Sequence, residues 1–490
     1  MELHVTLDTA DLARLRAQPV VTRCRQGRTR TSREAGTLWD GGAGELRHQG
    51  MRLAMVRRGA GATMILRHRD GSETRARLPA SAVPAAPAWC GDLVLAPALQ
   101  YRLTLSVCVL GGENWRAEMR IQKGEACLPG RADRRFCLLS VRLTEGGPQA
   151  LGEILQALAA RVPLVPTLAK EWSDLATLWS ESVTPLKSKP PRLPPGVSSG
   201  AALRSILATS LEQLVANHEC LLQTGDAESV HQMRVALRRL RSAMSLFRAL
   251  LKDPPSQAVS EELRWMLRML GAARDQDVLM ADIILPLDPL VGSMPGFEEL
   301  KRQVFVLQSK SRATMKAQLS APRFVMALLR LACWCSVAGI GQPAGDLPVR
   351  AMAQRTLARR YRQVRRGIAD IAGLDQEAQH QCRLRVKKLR YAVEFFISLL
   401  SARHAQKFID QLAQLQDRLG ALNDIATATK LLQAIALHAE KRPASRSRAS
   451  ATEIALAAGL VIGWHRRRSV ALLAQAIAEC HPLRKLPPLI

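Results

Sequence analysis

The feature that most constrains the fold of this chain is a basic helical motif that occurs twice. The first copy is HQMRVALRRLR at 231–241, and the second is HQCRLRVKKLR at 380–390, 149 positions later. A second pattern, Leu-Gly followed closely by an aspartate, recurs at the same distance, since one copy begins at Leu270 and the other at Leu419. Two motifs that share one offset indicate a duplicated domain.

The repeated motif places four basic residues on one face of each predicted helix. They are spaced three, four and three positions apart, and at 100° per residue they fall within an arc of roughly 80°. Apolar residues occupy a different arc, so each helix has a core-facing stripe beside a cationic stripe. The four positions are His231, Arg234, Arg238 and Arg241 in the first copy and His380, Arg383, Lys387 and Arg390 in the second.

A cationic stripe on one helix is commonly a solvated face, but its repetition favours a polyanionic ligand. Few acidic residues are placed to form i,i+4 ion pairs with the stripe. The whole chain has 70 Lys and Arg residues against 42 Asp and Glu, a formal charge of +28. This excess indicates an acidic partner, such as inorganic polyphosphate, nucleic acid or an anionic membrane. Aromatic residues make up only 4% of the chain, so nucleic acid is the weaker alternative because single-stranded bases are read by stacking.

The sequence predicts neither a metal site nor a membrane segment. The ten cysteines show no C-x-x-C pair or regular spacing, which is typical of reduced cysteines that fill core gaps in a cytosolic protein. The N-terminus has Glu2, His4 and Asp8 where a secretion signal needs a basic start and an apolar run. The apolar stretch 454–464 is too short to span a bilayer. We therefore expect a cytoplasmic protein without membrane insertion.

The order of patterns along the chain predicts an α+β protein of several domains. Alternating segments at 101–110 and 136–143 predict strands, and 149–158 predicts a helix. The proline-rich segment 184–199 is typical of an inter-domain linker. The clearest later helical stretches are 203–222, 230–251, 259–270 and 357–371. The expected domains are 1–183, which is antiparallel β, and 200–485, which is all-α with repeats at about 200–345 and 346–485.

The duplicated H-x-x-R-x-x-x-[RK]-[RK]-L-R motif, with the following LG-x-x-[RN]-D, closely resembles the CHAD domain family over roughly residues 197–485. The resemblance implies two related helical bundles around a basic surface and a role similar to that of inorganic-polyphosphate-binding modules. The anion-contacting residues that it implies are His231, Arg234, Arg238, Arg239, Arg241, His380, Arg383, Lys387, Lys388 and Arg390. For the two histidines, a structural role as partners of a backbone carbonyl or of the nearby aspartates is an equal alternative.

Two further sets of charged residues accompany the motifs. Asp275 and Asp424 each follow a Leu-Gly pair, where a carboxylate is more often structural and orients arginines or caps a helix. A basic row on one face of another predicted helix supplies candidate secondary anion contacts, with a solvated face as the alternative. The row consists of Arg355, Arg359, Arg362 and Arg366.

The first 180 residues resemble a CYTH domain that has lost its metal site. CYTH triphosphatases thread a triphosphate through a β tunnel, in which alternating glutamates hold the metal. The expected E-x-E-x-K opening is ELHVT at 2–6 here, and MRLAMVRR at 51–58 resembles the basic strand of the family. Three positions that the resemblance assigns to acids hold Leu138, Ser140 and Arg142. Because Mg²⁺ and Mn²⁺ need hard oxygen ligands, we expect no metal, no catalytic residues and no triphosphatase activity.

These observations predict non-catalytic binding of inorganic polyphosphate in a basic groove formed by the two repeated helices. No cofactor is expected. Association with polyphosphate granules and their proteins is a further expectation. Two alternatives stay open, a triphosphatase or other phosphoanhydride hydrolase in the N-terminal domain and a nucleic-acid-binding protein.

Overall fold

The structure, a computed structural model, describes residues 2–42, 44–58, 61–68, 72–79, 93–127, 133–171, 174, 184–338, 347–440 and 449–486. The chain forms two compact units. The first contains Met1–Thr184 together with Val325–Cys333, and the second contains Pro185–Phe324 and Trp334–Ile490. The expected boundary between the two repeats, at 345–346, lies outside the described residues.

The first unit is built on an antiparallel sheet, as the alternating segments predict. Its described strands are β1 (Glu2–Thr6), β2 (Arg25–Asp40), β3 (Arg52–Arg58), β4 (Gly61–Arg67), β5 (Glu73–Pro79), β6 (Ala96–Gly111), β7 (Arg116–Cys127), β8 (Arg134–Glu145) and β9 (Val165–Pro166). Their order in the sheet is β5-β4-β3-β2-β6-β7-β8-β1-β9. The strands predicted at 101–110 and 136–143 lie within β6 and β8, so the predicted α+β fold class is confirmed.

Short helices cover one face of this sheet and complete its core. They are α1 (Leu12–Arg16), α2 (Pro19–Thr22), α3 (Glu45–His48) and α4 (Pro148–Ala159). Leu151, Ile154 and Leu158 of α4 are buried against apolar side chains of the sheet. Val325 and Leu329 join the same cluster, which explains why the segment that contains them belongs to the first unit.

The second unit is helical. Its helices are α5 (Ser199–Thr224), α6 (Ala227–Leu246), α7 (Pro254–Val278), α8 (Asp288–Val291), α9 (Pro295–Leu319), α10 (Pro322–Val337, shared with the first unit), α11 (Val349–Gly367), α12 (Gln376–Phe396), α13 (Ala402–Glu440) and α14 (Ala451–Lys485). Among the described residues, no single helix is long and apolar enough to cross a membrane, although α9 and α10 pass that test as a bent pair.

The two motif helices begin in the same way. The side chain of Asp226 accepts a hydrogen bond from the Glu228 backbone N–H at the start of α6. The side chain of Asp375, 149 positions later, accepts one from the Ala378 backbone N–H at the start of α12. An aspartate at this position satisfies a backbone donor that has no partner within the helix. The duplication therefore extends to the local signals that begin each helix.

The proline-rich segment 184–199 has no helix before its last residue, but it packs on the helical unit. The backbone N–H of Leu186 donates to the Asn217 side chain at 3.1 Å, and the Asn217 amide donates back to the Leu186 carbonyl at 2.9 Å. Leu193 is buried and makes the same reciprocal pair of bonds with the Ser398 hydroxyl. The segment is therefore an ordered strap across the helical unit.

Candidate functional site

The basic stripes of the two motif helices face a common region, because α6 and α12 contact each other. Lys387 on α12 lies within electrostatic range of Arg383 on its own helix and of Arg234 and Arg238 on α6. Burial, and then these neighbouring charges, lower the pKa of the Lys387 ammonium to about 6. We call these four residues the central cluster. Its members come from both repeats, and each is only partly exposed.

Hydrogen bonds to the backbone hold the arginines of α6 in place. Arg234 donates to the Leu267 carbonyl at 3.3 Å, and the Nε of Arg238 donates to the Arg234 carbonyl at 3.1 Å. A Cβ at Gly271 would lie 3.0 Å from the Arg234 Nη1. The glycine of the first Leu-Gly pair therefore leaves room for this guanidinium where α7 passes α6.

Two carboxylates lie close to the central cluster. Burial, and then Arg238, lower the pKa of Arg234 to about 10, whereas Asp275 and Asp424 act in the opposite direction. Asp424 has the same opposing effect on the pKa of Arg383, which is lowered mainly by burial. The aspartate of each Leu-Gly motif thus offsets part of the charge that the arginines bring together. This placement fits the structural role, orienting arginines, that the sequence suggests.

The two histidines have different surroundings. The Nδ1 of His380 lies 2.7 Å from the Asn423 Oδ1, so this nitrogen is the donor and the Nε2 is left for another partner. The Asn423 amide donates to Asp424 at 3.4 Å, which supports that orientation of its side chain. Burial lowers the pKa of His231, and the nearby Glu228 partly opposes this effect. The partner of His380 is therefore the side chain of an asparagine, and neither a backbone carbonyl nor an aspartate.

The prediction that Arg239 contacts an anion is wrong. Arg239 is 1% exposed, forms an ion pair with Glu394, and places its guanidinium 5.0 Å from the centre of the Phe395 ring. Its Nη2 also donates to the Lys189 carbonyl at 3.4 Å. These partners supply the counter-charge and the hydrogen bonds that a buried guanidinium needs. Arg239 therefore holds the repeats and the strap together.

The remaining predicted residues lie outside the central cluster. Arg390 is tied to Glu394 by a 2.8 Å bond from its Nε and is partly exposed. Arg241 is exposed beside Arg264, whose charge acts after burial to lower the pKa of Arg241. Lys388 is exposed and lines a separate cavity. The residues of the predicted row, Arg355, Arg359, Arg362 and Arg366, are exposed on α11.

One cation beside the central cluster was missed from the sequence. Arg274 on α7 lies within electrostatic range of His231, Arg234 and Asp275. It occupies the position that Asn423 fills in the second repeat, within the LG-x-x-[RN]-D motif. The motif could have indicated this residue, because its variable position is the cation Arg274 in the first copy and Asn423, the partner of His380, in the second.

The positions of β1 and β8 that the sequence resemblance assigns to a metal site lie opposite each other, and Glu2 is the acid retained among them. In the register of β1 and β8, Glu2 faces Arg142, His4 faces Ser140 and Thr6 faces Leu138. Leu138 is buried in an apolar cluster, and the Arg142 guanidinium pairs with Glu118 at 3.2 Å. Within the described ranges, no group of three or more His, Cys, Asp or Glu residues is placed to hold a metal ion.

A cavity of about 310 Å³ lies in this sheet, and its cations have carboxylate partners. Arg67 pairs with both Glu73 and Glu171, which also line the cavity, and these contacts raise the pKa of Arg67 although burial opposes them. Arg52 pairs with Asp174. A phosphate that enters this cavity would have to displace internal carboxylates from these arginines.

Residues 205–433 match the CHAD domain family. The structure of the CHAD domain from the plant Ricinus communis aligns with 28% identity and a TM-score of 0.54, over 62% of this chain and 98% of that one. No curated protein sequence is significantly similar to the chain.

Two other solved structures are more distant. PptA from Streptomyces chartreusis aligns with 17% identity and a TM-score of 0.46, over 58% of this chain and 99% of its own. A Hippeastrum protein described as an adenylyl cyclase with a dominant triphosphatase activity aligns with 13% identity and a TM-score of 0.24, over 36% of this chain and 94% of its own. Likeness at this level carries no argument about activity.

The repeated basic helices and their Leu-Gly partners lie in the part of the chain that the family model matches. Both copies of the motif fall inside the matched range, and both are α-helices of the second unit. Residues 205–433 of this chain are therefore a CHAD domain.

Proposed function

We propose that this protein binds inorganic polyphosphate through the central cluster and the cations around it. The observation that carries the proposal is the contact between α6 and α12, which brings four basic side chains from two repeats into one crowded region. Bringing like charges together costs free energy in the absence of a ligand. A bound polyanion removes that repulsion, so the free energy that folding loses by bringing the charges together is regained when the ligand binds.

The chemistry of the cluster suits a repeating phosphate chain. Arg234, Arg238 and Arg383 present planar guanidinium groups that grip two phosphate oxygens at once, and Lys387 supplies a compact charge. A polyphosphate chain offers no bases, so its binder needs closely placed donors and no sequence-reading element. Because α6 and α12 each contribute, a long chain that contacts one helix contacts the other intramolecularly.

The proposed role is binding without catalysis. In the first unit, Leu138, Ser140 and Arg142 stand opposite β1, where carboxylates would be needed for Mg²⁺ or Mn²⁺. The arginines Arg52 and Arg67 are engaged by internal carboxylates. These features weigh against the alternative of a triphosphatase in the first unit.

Nucleic acid is the other alternative polyanion. Its support is the net charge of the chain. Stacking of bases needs exposed aromatic rings, whereas Tyr391 and Phe395, the rings nearest to Arg239 in this part of the fold, are buried. We therefore expect the affinity for a polyanion to depend on the spacing of its phosphates and not on the bases of a nucleic acid.

A competition assay tests the proposal. Full-length protein is held on long-chain polyphosphate, and tripolyphosphate, single-stranded DNA and long polyphosphate are added at matched phosphate concentration and salt. We expect long polyphosphate to compete best, DNA to compete weakly and tripolyphosphate to compete least per phosphate. Equal competition by DNA and long polyphosphate would contradict the proposal and favour nucleic-acid binding.

Binding of this kind would place the protein on polyphosphate granules in cells that contain them. A fluorescent fusion should co-localise with the granules, and the variant Arg238→Gln with Lys387→Gln should become diffuse. Unchanged localisation of the variant would show that another surface recruits the protein.

A further inference from the structure

A second cationic site lies in the groove between α11 and α12. A cavity of about 380 Å³ opens there, and it is lined by four cations and two glutamines. The three on α12 lie at positions i, i+4 and i+7 and the three on α11 at i, i+3 and i+6, so the residues of each helix lie on the side that lines the cavity. The six residues are Arg360, Gln363, Arg366, Gln381, Arg385 and Lys388.

The charge of this pocket is not neutralised from within. Among the described residues, Arg366, Arg385 and Lys388 form no ion pair, and no carboxylate belongs to the lining. Gln381 donates to Glu377 at 2.7 Å, but that carboxylate lies outside the cavity. Three exposed cations thus converge on one hollow without a counter-charge.

Arg360 gives the pocket a built, rigid wall. Its side chain is only 6% exposed, and its Nη1 donates to the Lys388 carbonyl at 2.7 Å. Burial, and then the neighbouring Arg359, lower the pKa of Arg360 to about 10, so the group is still cationic at neutral pH. A guanidinium that is fixed before a ligand arrives loses little conformational entropy on binding.

The equivalent groove of the first repeat shows what the second repeat has changed. The helices α6 and α12 are offset by 149 positions, and α5 and α11 begin 150 positions apart, at Ser199 and Val349. On these offsets, Ser210, Ala216 and Ala236 stand where the second repeat has Arg360, Arg366 and Arg385.

In the first repeat this groove is filled by the strap. The Asn217 amide holds Leu186, and Arg239, the equivalent of Lys388, donates to the Lys189 carbonyl. Gln213 and Gln232, the equivalents of Gln363 and Gln381, hydrogen-bond to each other at 2.9 Å in the interior. The second repeat has the same groove with no strap described in it, and three small positions have become arginine.

We propose that the pocket between α11 and α12 is a separate binding site for a compact phosphate-rich anion, three or four phosphates long. The volume of about 380 Å³ is at the small end of ligand sites and suits an oligophosphate better than a long chain. Arginine forks and glutamine amides are the donors that bind phosphate oxygens. The site stands on its own residues and does not depend on the central cluster.

The ligand has two possible sources with the same chemistry, a free oligophosphate and the phosphate tail of a nucleotide. The remaining residue that lines the cavity is Leu384 on α12, whose side chain is apolar and not aromatic. No described aromatic ring lines the cavity to stack on a base. Tripolyphosphate is therefore the first probe and ATP is the second.

Calorimetry on full-length protein tests the proposal. The variant Arg366→Gln with Arg385→Gln should weaken tripolyphosphate binding at one site by about tenfold or more, since each charge-assisted contact is worth roughly that factor. The matched control Arg403→Gln with Lys407→Gln removes two exposed cations from α13 and should change that affinity less than about twofold. Arg360 is left intact because its removal would disturb the contact between the helices.

The same experiment separates this site from the central cluster. In the background Arg238→Gln with Lys387→Gln, one tripolyphosphate should still bind per chain, and adding the pocket substitutions should weaken that binding by the same factor of about ten or more. Circular dichroism confirms that each variant is folded. ATP that binds more tightly than tripolyphosphate would assign the nucleotide as the source. Identical tripolyphosphate affinity and stoichiometry in wild type and the pocket variant would overturn the proposal, as would tighter pocket-dependent binding of a decaglutamate peptide.

Discussion

Arg239 of the first repeat forms an ion pair with Glu394 of the second. Both side chains are largely buried, and Glu394 also accepts a 2.8 Å bond from Arg390. One carboxylate is therefore shared by an arginine from each copy of the motif. The ion pair couples the stability of the two repeats, because neither guanidinium keeps its counter-charge if Glu394 is removed.

Glu394→Gln should destabilise the helical unit by about 3 kcal/mol, since removal of one member of a buried ion pair leaves the other uncompensated. Denaturant unfolding followed by circular dichroism measures the change. Glu212→Gln is the matched control, because Glu212 is exposed on α5, and it should shift the free energy of unfolding by less than about 0.5 kcal/mol. Equal stability of the two variants would mean that Arg239 is adequately solvated without its partner.

Polyphosphate binding should weaken as pH rises above 6. In the free protein the pKa of Lys387 is about 6, so the amine is mostly neutral at pH 7.5. A bound polyanion favours the ammonium and raises this pKa, so binding takes up a proton between the free and bound pKa values. Below pH 6 the dependence from this group vanishes, because the amine is already charged.

Calorimetry in two buffers of different ionisation enthalpy counts the protons taken up at pH 7.5. Lys387→Arg keeps the charge at all accessible pH values, so it should remove most of the uptake while it preserves binding. The remaining uptake would come from His231, whose pKa is also lowered by burial. Proton uptake that is unchanged in Lys387→Arg would exclude Lys387 as the coupled group.

The sequence predicted the motif helices well, because their signals are local. The spacing of apolar and basic residues determines each helical face, and Asp226 and Asp375 mark where α6 and α12 begin. The two copies could also be expected to meet, since duplicated halves of one domain pack against each other. The central cluster follows from these local signals together with the contact between α6 and α12.

The positions that flank the stripe were not predictable in the same way. Arg239 and Lys388 occupy the same place in the motif, yet Arg239 is buried and Lys388 is exposed. The difference arises from tertiary contacts, because Glu394 pairs with Arg239 and the strap reaches Arg239 through Lys189. A contact 50 positions away in sequence is invisible to helical periodicity. The burial of Arg360, which is next to Arg359 of the predicted basic row, was also not predictable, because it depends on a contact with the Lys388 carbonyl on another helix.

Purified full-length protein with Mg²⁺ or Mn²⁺ should release no phosphate from tripolyphosphate or ATP above background. Glu2 is the acid retained at the β1 positions, and it faces Arg142 across the sheet and lies 3.9 Å from His4. One carboxylate beside an arginine is a poor site for a hard divalent ion. A phosphate-release assay measures this activity. Metal-dependent turnover that is abolished by Glu2→Gln would contradict the prediction.

The two repeats should contribute similarly to the binding of long polyphosphate. Arg238→Gln removes a cation of the first repeat from the central cluster, and Arg383→Gln removes one of the second. Each should weaken long-chain binding, because it lowers the local contact energy and the gain from attachment to both helices. Each should also flatten the plot of log affinity against log salt by about 0.7 per lost contact, if a single-stranded nucleic acid is a fair guide to a flexible polyanion.

Chain length separates this cooperation from simple loss of charge. A long chain reaches both helices, so the single variants and the double variant should all lose affinity, with the double variant losing less than the sum of the singles once one helix no longer binds. A short chain that contacts one helix should be affected mainly by the substitution on that helix. The series is measured with both chain lengths at several salt concentrations. Unchanged affinity and slope in both single variants would mean that the two motif helices serve the fold and that the ligand binds elsewhere.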